Sequence, residues 1–459
     1  MSTKNGNRLP KALAMGQAIA QGRQDPQTLT TEALDAAQIE DVAFITVLKE
    51  RAEAEAHAAA LRQKAGCLAS PLDGVPFAWK DLVDIKGTVT TAASRALVKH
   101  RNPAVCDAPL VNRLAKAGVV SIGKTNLSEL AFSGLGLNPG YGTPVNPADT
   151  VTPRAPGGSS AGSAVAVAKG IVPAAMGSDT AGSLRVPAAF NGLVSYRPSC
   201  ARHDGVGITP LAKSFDVPGV LATSVADCFA IDDCMRTGQV QKRQALQPSS
   251  IRLLVDEAVL DEYVTDSAVR RNLLTSVEQL AEQGVAVSYG RVPAVGRVID
   301  LIAKHGWLGG AEGWVEYRWL VEADTAGEMD QRVKQRLLAA SQMSGEKVIS
   351  LYRQRAALIQ AVEQELEGAL LVLPTVGHVA PPIAPLEADP AYFADINLKT
   401  LRLTMVGSFL DMPTLALPTG LNSESQFTSL QISAPQGDDE RLAASALTLK
   451  LDSIQLPMH

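Results

Sequence analysis

Pro156-Gly157-Gly158-Ser159-Ser160-Ala161-Gly162-Ser163-Ala164-Val165, followed shortly by Gly177-Ser178-Asp179-Thr180-Ala181-Gly182-Ser183-Leu184-Arg185-Val186-Pro187, is the stretch on which the reading of this chain turns. Its residues are small, and glycine recurs at short intervals. Small residues let a backbone turn its amide groups inward, a course that bulky side chains block. The run from Gly162 to Gly170 reads as a helix packed tightly inside the core. Around it, from 71 to about 225, short apolar runs alternate with glycine, serine and proline turns and with short helical stretches. Ala117-Gly118-Val119-Val120-Ser121-Ile122-Gly123 reads as a helix end, a buried strand and a loop. Leu253-Leu254-Val255, Leu370-Leu371-Val372-Leu373 and Leu415-Ala416-Leu417 are further strands, separated by helical segments. Strands alternating with helices predict an α/β layered sheet.

Farther out, residues 12–63 read as helices, with Leu34 to Leu61 apolar at helical spacing. The stretch 293–368 is charged and helical, with an expected break at Gly309-Gly310 and a polar segment from Ala323 to Glu328. Glu363 and Glu367, four apart, would share a solvated face. This stretch reads as an appendage covering an edge or an opening of the sheet. The proline-rich turns at 374–385 read as loop, and no internal repeat is visible.

Composition mainly excludes. The 459 residues are 46% hydrophobic and 19% charged, which rules out wholesale disorder. No run approaches the roughly 18 apolar residues of a membrane helix. A net charge of −5 argues against a surface built to neutralise phosphates, and 4% aromatics disfavour a base-stacking platform. The five cysteines are scattered without a C-x-x-C pair, which fits a reducing compartment rather than a disulfide scaffold or zinc cage. Six scattered histidines show no metal spacing. Lys4, Arg8 and Lys11 precede a short apolar run ending Ala18-Ile19-Ala20, which imitates a signal peptide; Gly16 and Gln17 interrupt it, and a short surface helix is expected.

Two motif matches fail on context. Gly118 to Thr125 fits G-x-x-x-x-G-K-[ST], but a phosphate loop needs a strand before its first glycine and a flexible loop after it. Here helix precedes and strand follows, although Val255-Asp256 could pose as the matching acidic strand end. Gly158-Ser159-Ser160-Ala161-Gly162 fits the G-x-S-x-G elbow, which needs a strand immediately before it. The two prolines and the arginine of 150–156 make a poor core strand, and nothing selects a base among His203, His305 and His378.

The longer pattern is more specific. With Leu72-Asp73-Gly74-Val75-Pro76-Phe77-Ala78-Trp79-Lys80-Asp81 upstream, Gly123-Lys124-Thr125-Asn126-Leu127 between, and Leu373-Pro374-Thr375 and Leu417-Pro418-Thr419-Gly420 downstream, the serine-glycine stretches resemble the amidase signature family. These are hydrolases using a Ser-Ser-Lys triad. The likeness covers nearly the whole chain and is densest from 71 to 225. It implies an amidase signature fold, a large mixed central β-sheet covered by helices on both faces. One domain over 1–459 would comprise N-terminal helices (1–70), the catalytic signature core (71–225), the helical appendage near the substrate pocket (293–368) and the C-terminal part of the sheet (369–459). The family usually has Gly or Ser at Ala161, Gly at Ala181, and Ala-Gly-Ser where Ala92-Ala93-Ser94 stand; no departure removes a triad member.

Amide cleavage needs a nucleophile, a base and a seat for the oxyanion. Lys80 lies in an apolar stretch where desolvation could lower its pKa towards neutrality, making it able to accept a proton and later protonate the leaving amine. By motif position, the resemblance makes Ser183 the nucleophile and Ser159, 24 residues upstream and after a cis peptide bond, the serine relaying the proton. It places the oxyanion hole at the backbone N–H groups of Thr180, Ala181, Gly182 and Ser183. Asp179 and Arg185 are assigned to scaffolding. The segment 179–191 looks especially like allophanate hydrolases, which hints at small urea-derived substrates; Tyr317 and Arg318 are pocket candidates that read more simply as surface helix. The resulting expectation is a cytoplasmic, homodimeric amidohydrolase acting on a small-molecule carboxamide or urea-type C–N bond. No cofactor, metal, nucleic acid or membrane is expected. The competing expectation from the same family is the glutaminase-type component of a tRNA-dependent amidotransferase, working with partner subunits.

Overall fold

Val120 to Thr125 is buried at every position, and such a strand is stable only where neighbours cover both of its faces. In the computed structural model, which describes residues 9–40, 42–149, 151–238, 243–449 and 451, it lies within one long sheet. The described strands are β1 (Phe44–Val47), β2 (Pro76–Lys80), β3 (Val120–Thr125), β4 (Ala174–Asp179), β5 (Val194–Arg197), β6 (Val217–Ala222), β7 (Arg252–Asp256), β8 (Ala286–Gly290), β9 (Leu370–Pro374), β10 (Thr414–Leu421) and β11 (Phe427–Ser433). Their order is β1-β3-β2-β4-β6-β5-β10-β11-β9-β7-β8. β2 runs parallel to both β3 and β4, β7 runs parallel to β8 and β9, and the other pairs are antiparallel. The expected mixed α/β sheet is therefore present.

Alternation along the strands divides the core between the two faces. Phe77 and Trp79 pack with Met176, Leu415 and Leu417 in one apolar cluster. Ala78, Ala175 and Ala416, offset by one residue, pack in another with Val165 and Val167 of the helix Ala161–Ala168. That helix is tight for a definite reason: a Cβ on Gly162 would come within 2.3 Å of the Ala43 carbonyl oxygen.

The strands expected around Val120, Leu253, Leu370 and Leu415 are all present. Residues 12–63 are not wholly helical. Helices Ala12–Ala20, Pro26–Ile39 and Lys49–Ala65 are interrupted by β1, a four-residue edge strand too short to impose a period of its own. The signal-like run is the helix Ala12–Ala20, with Ile19 fully buried and its first amides donating to Asp227 at 3.0 and 2.9 Å; it is docked rather than merely superficial. In the 293–368 region, Gly309 and Gly310 lie inside the helix Leu308–Glu322. The break comes at Gly306, whose φ of 83° ends the preceding helix Pro293–His305. Glu367 does not continue the face of Glu363, because it terminates its helix at φ 47°.

Candidate active site

Parallel neighbours β2 and β4 end at the same edge of the sheet, where an open α/β sheet leaves a crevice beyond its strand ends. β2 ends on Lys80, and β4 ends on Ser178-Asp179 before turning into the helix Arg185–Asn191. Lys80 Nζ donates to Ser159 Oγ at 2.7 Å and to Ser178 Oγ at 2.8 Å, with all three residues buried. Burial pushes the Lys80 amine down to about 7, against the opposing pull of Asp216 and Asp179. The Gly158–Ser159 peptide is cis.

Ser183 joins this group through the backbone, its carbonyl accepting from Ser160 N at 3.2 Å. Its hydroxyl makes no hydrogen bond to Ser159 Oγ among the described residues. Catalytic hydrogen bonds are often completed only when substrate arrives.

Asp179 and Arg185 hold the 179–185 turn. Burial would raise the Asp179 carboxyl, but Arg185 and Arg197 outweigh it and hold it at about 2. Arg185 Nη2 is 2.9 Å from Asp179 Oδ1, and the amides of Gly182 and Leu184 donate to the same carboxylate at 2.8 and 3.2 Å. Among the expected oxyanion-hole amides, the Gly182 N–H is thus the one that donates to Asp179. The amides of Thr180, Ala181 and Ser183 have no acceptor among the described residues. Gly182 itself sits at φ 133°, and a Cβ there would lie 2.1 Å from Thr404 Oγ1, so only glycine fits. Thr404 also donates to the Ala181 carbonyl at 2.7 Å, which ties the turn to the helix Pro390–Phe409.

Three supporting residues escaped the sequence reading. Ser178 was visible inside the quoted motif but carried no signal separating it from its neighbours. Asp216, from a distant segment, accepts from Thr180 Oγ1 at 2.5 Å and from the amides of Leu211 and Ala212; burial pushes its carboxyl up to about 6 despite these bonds. Arg336, on the helix Gln331–Ala340, lines a narrow cleft together with Ser183, Thr180, Ala181 and Trp307. Trp307 and Arg336 both come from the helical region expected near the pocket. Tyr317, by contrast, is buried with its hydroxyl on the Pro210 carbonyl, and Arg318 is exposed; neither lines that cleft.

The rejected motifs resolve physically. Residues 120–125 are strand rather than phosphate loop, and Lys124 Nζ is buried 2.5 Å from Asp81 Oδ1. No strand leads into the Gly158–Gly162 turn. His203 pairs with Asp232, His378 bonds Val379 and Thr400, and His305 lies on a surface groove with Glu346 and Lys347. At the Ala92-Ala93-Ser94 departure, Ala92 and Ala93 both adopt φ 49°, the left-handed region that glycine enters without penalty. Among the described residues no group of three or more His, Cys, Asp or Glu side chains could hold a metal ion, and no helix is long and apolar enough to cross a membrane.

Comparison with known proteins extends this picture. The Amidase family model matches residues 28–443. A 2-amino-5-chloromuconic acid deaminase of Comamonas testosteroni is 30% identical over 390 residues, covering 83% of this chain and 82% of that protein. A chain of the glutamyl-tRNA(Gln) amidotransferase of Prochlorococcus marinus is 30% identical over 442 residues, covering 87% of this chain and 88% of that protein. The crystal structure of an amidase superimposes with a TM-score of 0.84 at 29% identity, covering 96% of this chain and 99% of that one.

Proposed function

This chain belongs to the amidase family and is a hydrolase of C–N amide bonds, and from that premise we propose that it cleaves a small-molecule carboxamide or urea-type bond through Ser183, Ser159 and Lys80. The observation carrying the proposal is the 2.7 Å contact between Lys80 Nζ and Ser159 Oγ in a buried setting that brings the amine to about 7. A lysine neutral near physiological pH can accept a proton; an ordinary one cannot.

In the proposed sequence, Ser183 Oγ attacks the carbonyl carbon and its proton passes to Ser159 Oγ, whose own proton moves to Lys80 Nζ. The carbonyl oxygen, now negative, is met by the amides of Thr180, Ala181 and Ser183. Collapse expels the nitrogen, which takes the proton back from Lys80 through Ser159 and leaves as ammonia or an amine. Water then attacks the acyl-Ser183 ester, losing its proton along the same relay, and the acid departs as Ser183 regains its hydrogen. Each well-placed oxyanion donor is worth roughly 10²–10³ in rate.

A homodimer in a cytoplasmic, reducing compartment belongs to the same proposal; no disulfide joins the cysteines among the described residues, which supports the compartment. The similarity to the amidotransferase chain keeps a second reading in play, a glutaminase whose ammonia passes to a partner. A panel of amides, ureas and glutamine assayed for ammonia release tests both. Ser183→Ala is expected to abolish turnover on the best substrate, and wild-type turnover by that variant would refute the nucleophile. Glutamine as best substrate, with stimulation by a co-purifying partner, would favour the second reading.

A further inference from the structure

The turn that carries Ser183 is tied down from several directions. Asp179 takes the amides of Gly182 and Leu184, and Thr404 donates to the Ala181 carbonyl. Thr180, the first residue after β4, has a single hydrogen bond among the described residues: its Oγ1 donates to Asp216 Oδ1 at 2.5 Å. The other oxygen of that carboxylate, Oδ2, accepts from the amides of Leu211 and Ala212 at 2.7 and 2.9 Å. The segment 210–216 is itself gripped by the helix Leu308–Glu322. Tyr317 donates its hydroxyl to the Pro210 carbonyl, and Ser214 N donates to Glu312 Oε2 at 3.0 Å. Asp216 is therefore a fixed point between the helical region and the catalytic turn, with one oxygen committed to each side. Thr180 and Leu211, one from each side, line the cleft beside Ser183.

Anchoring the hydroxyl of a β-branched residue fixes its χ1, and the rotamer in turn restricts the backbone that carries it. The backbone in question bears the Thr180 N–H, which has no acceptor among the described residues. We propose that Asp216 is a positioning residue for amide hydrolysis: it anchors Thr180 through the hydroxyl and so aims the Thr180 N–H at the oxyanion forming on the substrate. This rests on the reading of Ser183 as nucleophile and Lys80 as base.

The same carboxylate bears on the base electrostatically. Burial lowers the Lys80 amine to about 7, and the two carboxylates facing it, Asp216 and Asp179, oppose that fall, Asp216 the more strongly. Asp216 in turn faces Lys80, Lys213, Glu312 and Tyr317. Its carboxyl, raised by burial to about 6 despite its three hydrogen bonds, is still mainly ionised where Lys80 titrates. Removing that charge withdraws support from the ammonium form and lowers the amine further.

The test measures ammonia release from propionamide, benzamide, biuret and glutamine and follows the fastest of them. On it, kcat and KM are recorded from about pH 5 to about pH 10 for the wild type, Asp216→Asn, Thr180→Val, the double variant and Lys80→Ala. Asp216→Asn keeps the shape but puts an NH2 group where either Thr180 or the two amides need an acceptor. Misaiming one donor corresponds to about 10–100-fold, so Asp216→Asn and Thr180→Val are each expected to lose that factor in kcat. KM is expected to stay within about twofold, because the oxyanion exists only in the transition state. The double variant is expected to be no slower than Asp216→Asn, since both changes break the same bond. In Asp216→Asn the acid limb of kcat/KM is expected to move to lower pH, whereas loosened packing that admitted water to Lys80 would move it upward. Wild-type kcat in Thr180→Val, losses that multiply in the double variant, or a limb in Asp216→Asn that stays or moves up would overturn the assignment. Should Asp216→Asn fail to fold, the kcat and KM of Thr180→Val decide. Lys80→Ala separates the two levels. If it keeps the limb, the base reading fails; if it loses the limb while Asp216→Asn keeps the wild-type kcat and limb, only the assignment of Asp216 fails.

Discussion

Asp179 Oδ1 accepts the backbone proton of Gly182 at 2.8 Å, so the carboxylate at the end of β4 shapes the turn that presents Ser183. The same carboxylate answers two buried arginines, and replacing it leaves Arg185 without its carboxylate and Arg197 with Asp411 alone. Asp179→Asn is expected to lower unfolding free energy by about 3–5 kcal/mol, measured by denaturant titration. The sign with pH follows from the folded value of about 2, below the ordinary aspartate near 4. The stabilisation is complete above about pH 4 and is lost as pH falls towards 2; the variant's stability deficit should shrink over that window. A deficit unchanged between pH 5 and pH 2.5 would show that the charge is not what holds the turn.

Lys80 predicts the pH profile. The neutral amine is the base, so kcat/KM should rise as pH passes about 7 and level off above it. Lys80→Ala should lose about 10²–10⁴ in kcat/KM and lose this limb with it. Ser178→Ala removes an acceptor that favours the charged amine, so its limb should shift to lower pH while turnover falls far less than in Ser159→Ala. A limb that survives in Lys80→Ala would point to another base. The same depressed pKa means that the unfolded chain holds the extra proton between about pH 7 and 10, so Lys80 makes stability rise with pH across that range.

Gly182→Ala tests the turn sterically. The added methyl would meet Thr404 Oγ1 at 2.1 Å, and φ 133° is strained for alanine in any case. A fall in kcat of about 10²–10³ with little change in KM is expected, as for a misplaced oxyanion donor. Adding Thr404→Ala removes the Oγ1 contact but leaves the Cβ of residue 404 at 2.6 Å and the backbone strain, so the double variant should stay well below Thr404→Ala alone. Wild-type kcat for Gly182→Ala would remove this turn from the oxyanion cradle.

Much of the sheet was legible because buried strands advertise themselves as short apolar runs: β3, β7, β9 and β10 stand where their leucines and valines announce them. The edge strands β1 and β8 were not, since an edge strand is short or half-exposed and its pairing is decided by its neighbour. Gly309-Gly310 looked like a break, yet glycine is tolerated in a helix where close packing rewards it: a Cβ on Gly309 would come 2.5 Å from Trp307 Nε1.

What the sequence by itself determined is the chemistry available: two serines and a lysine within motifs of small residues, and apolar runs enough for an α/β sheet. What only the tertiary structure decided is which polar groups are committed to one another. The parallel ends of β2 and β4 bring Lys80 to Ser178, Asp179 claims the Gly182 amide, and a helix far downstream of Ser183 brings Arg336 to the cleft. Hydrogen bonds and buried charges depend on distances of a few ångströms between segments far apart in the chain, and local sequence does not encode those distances.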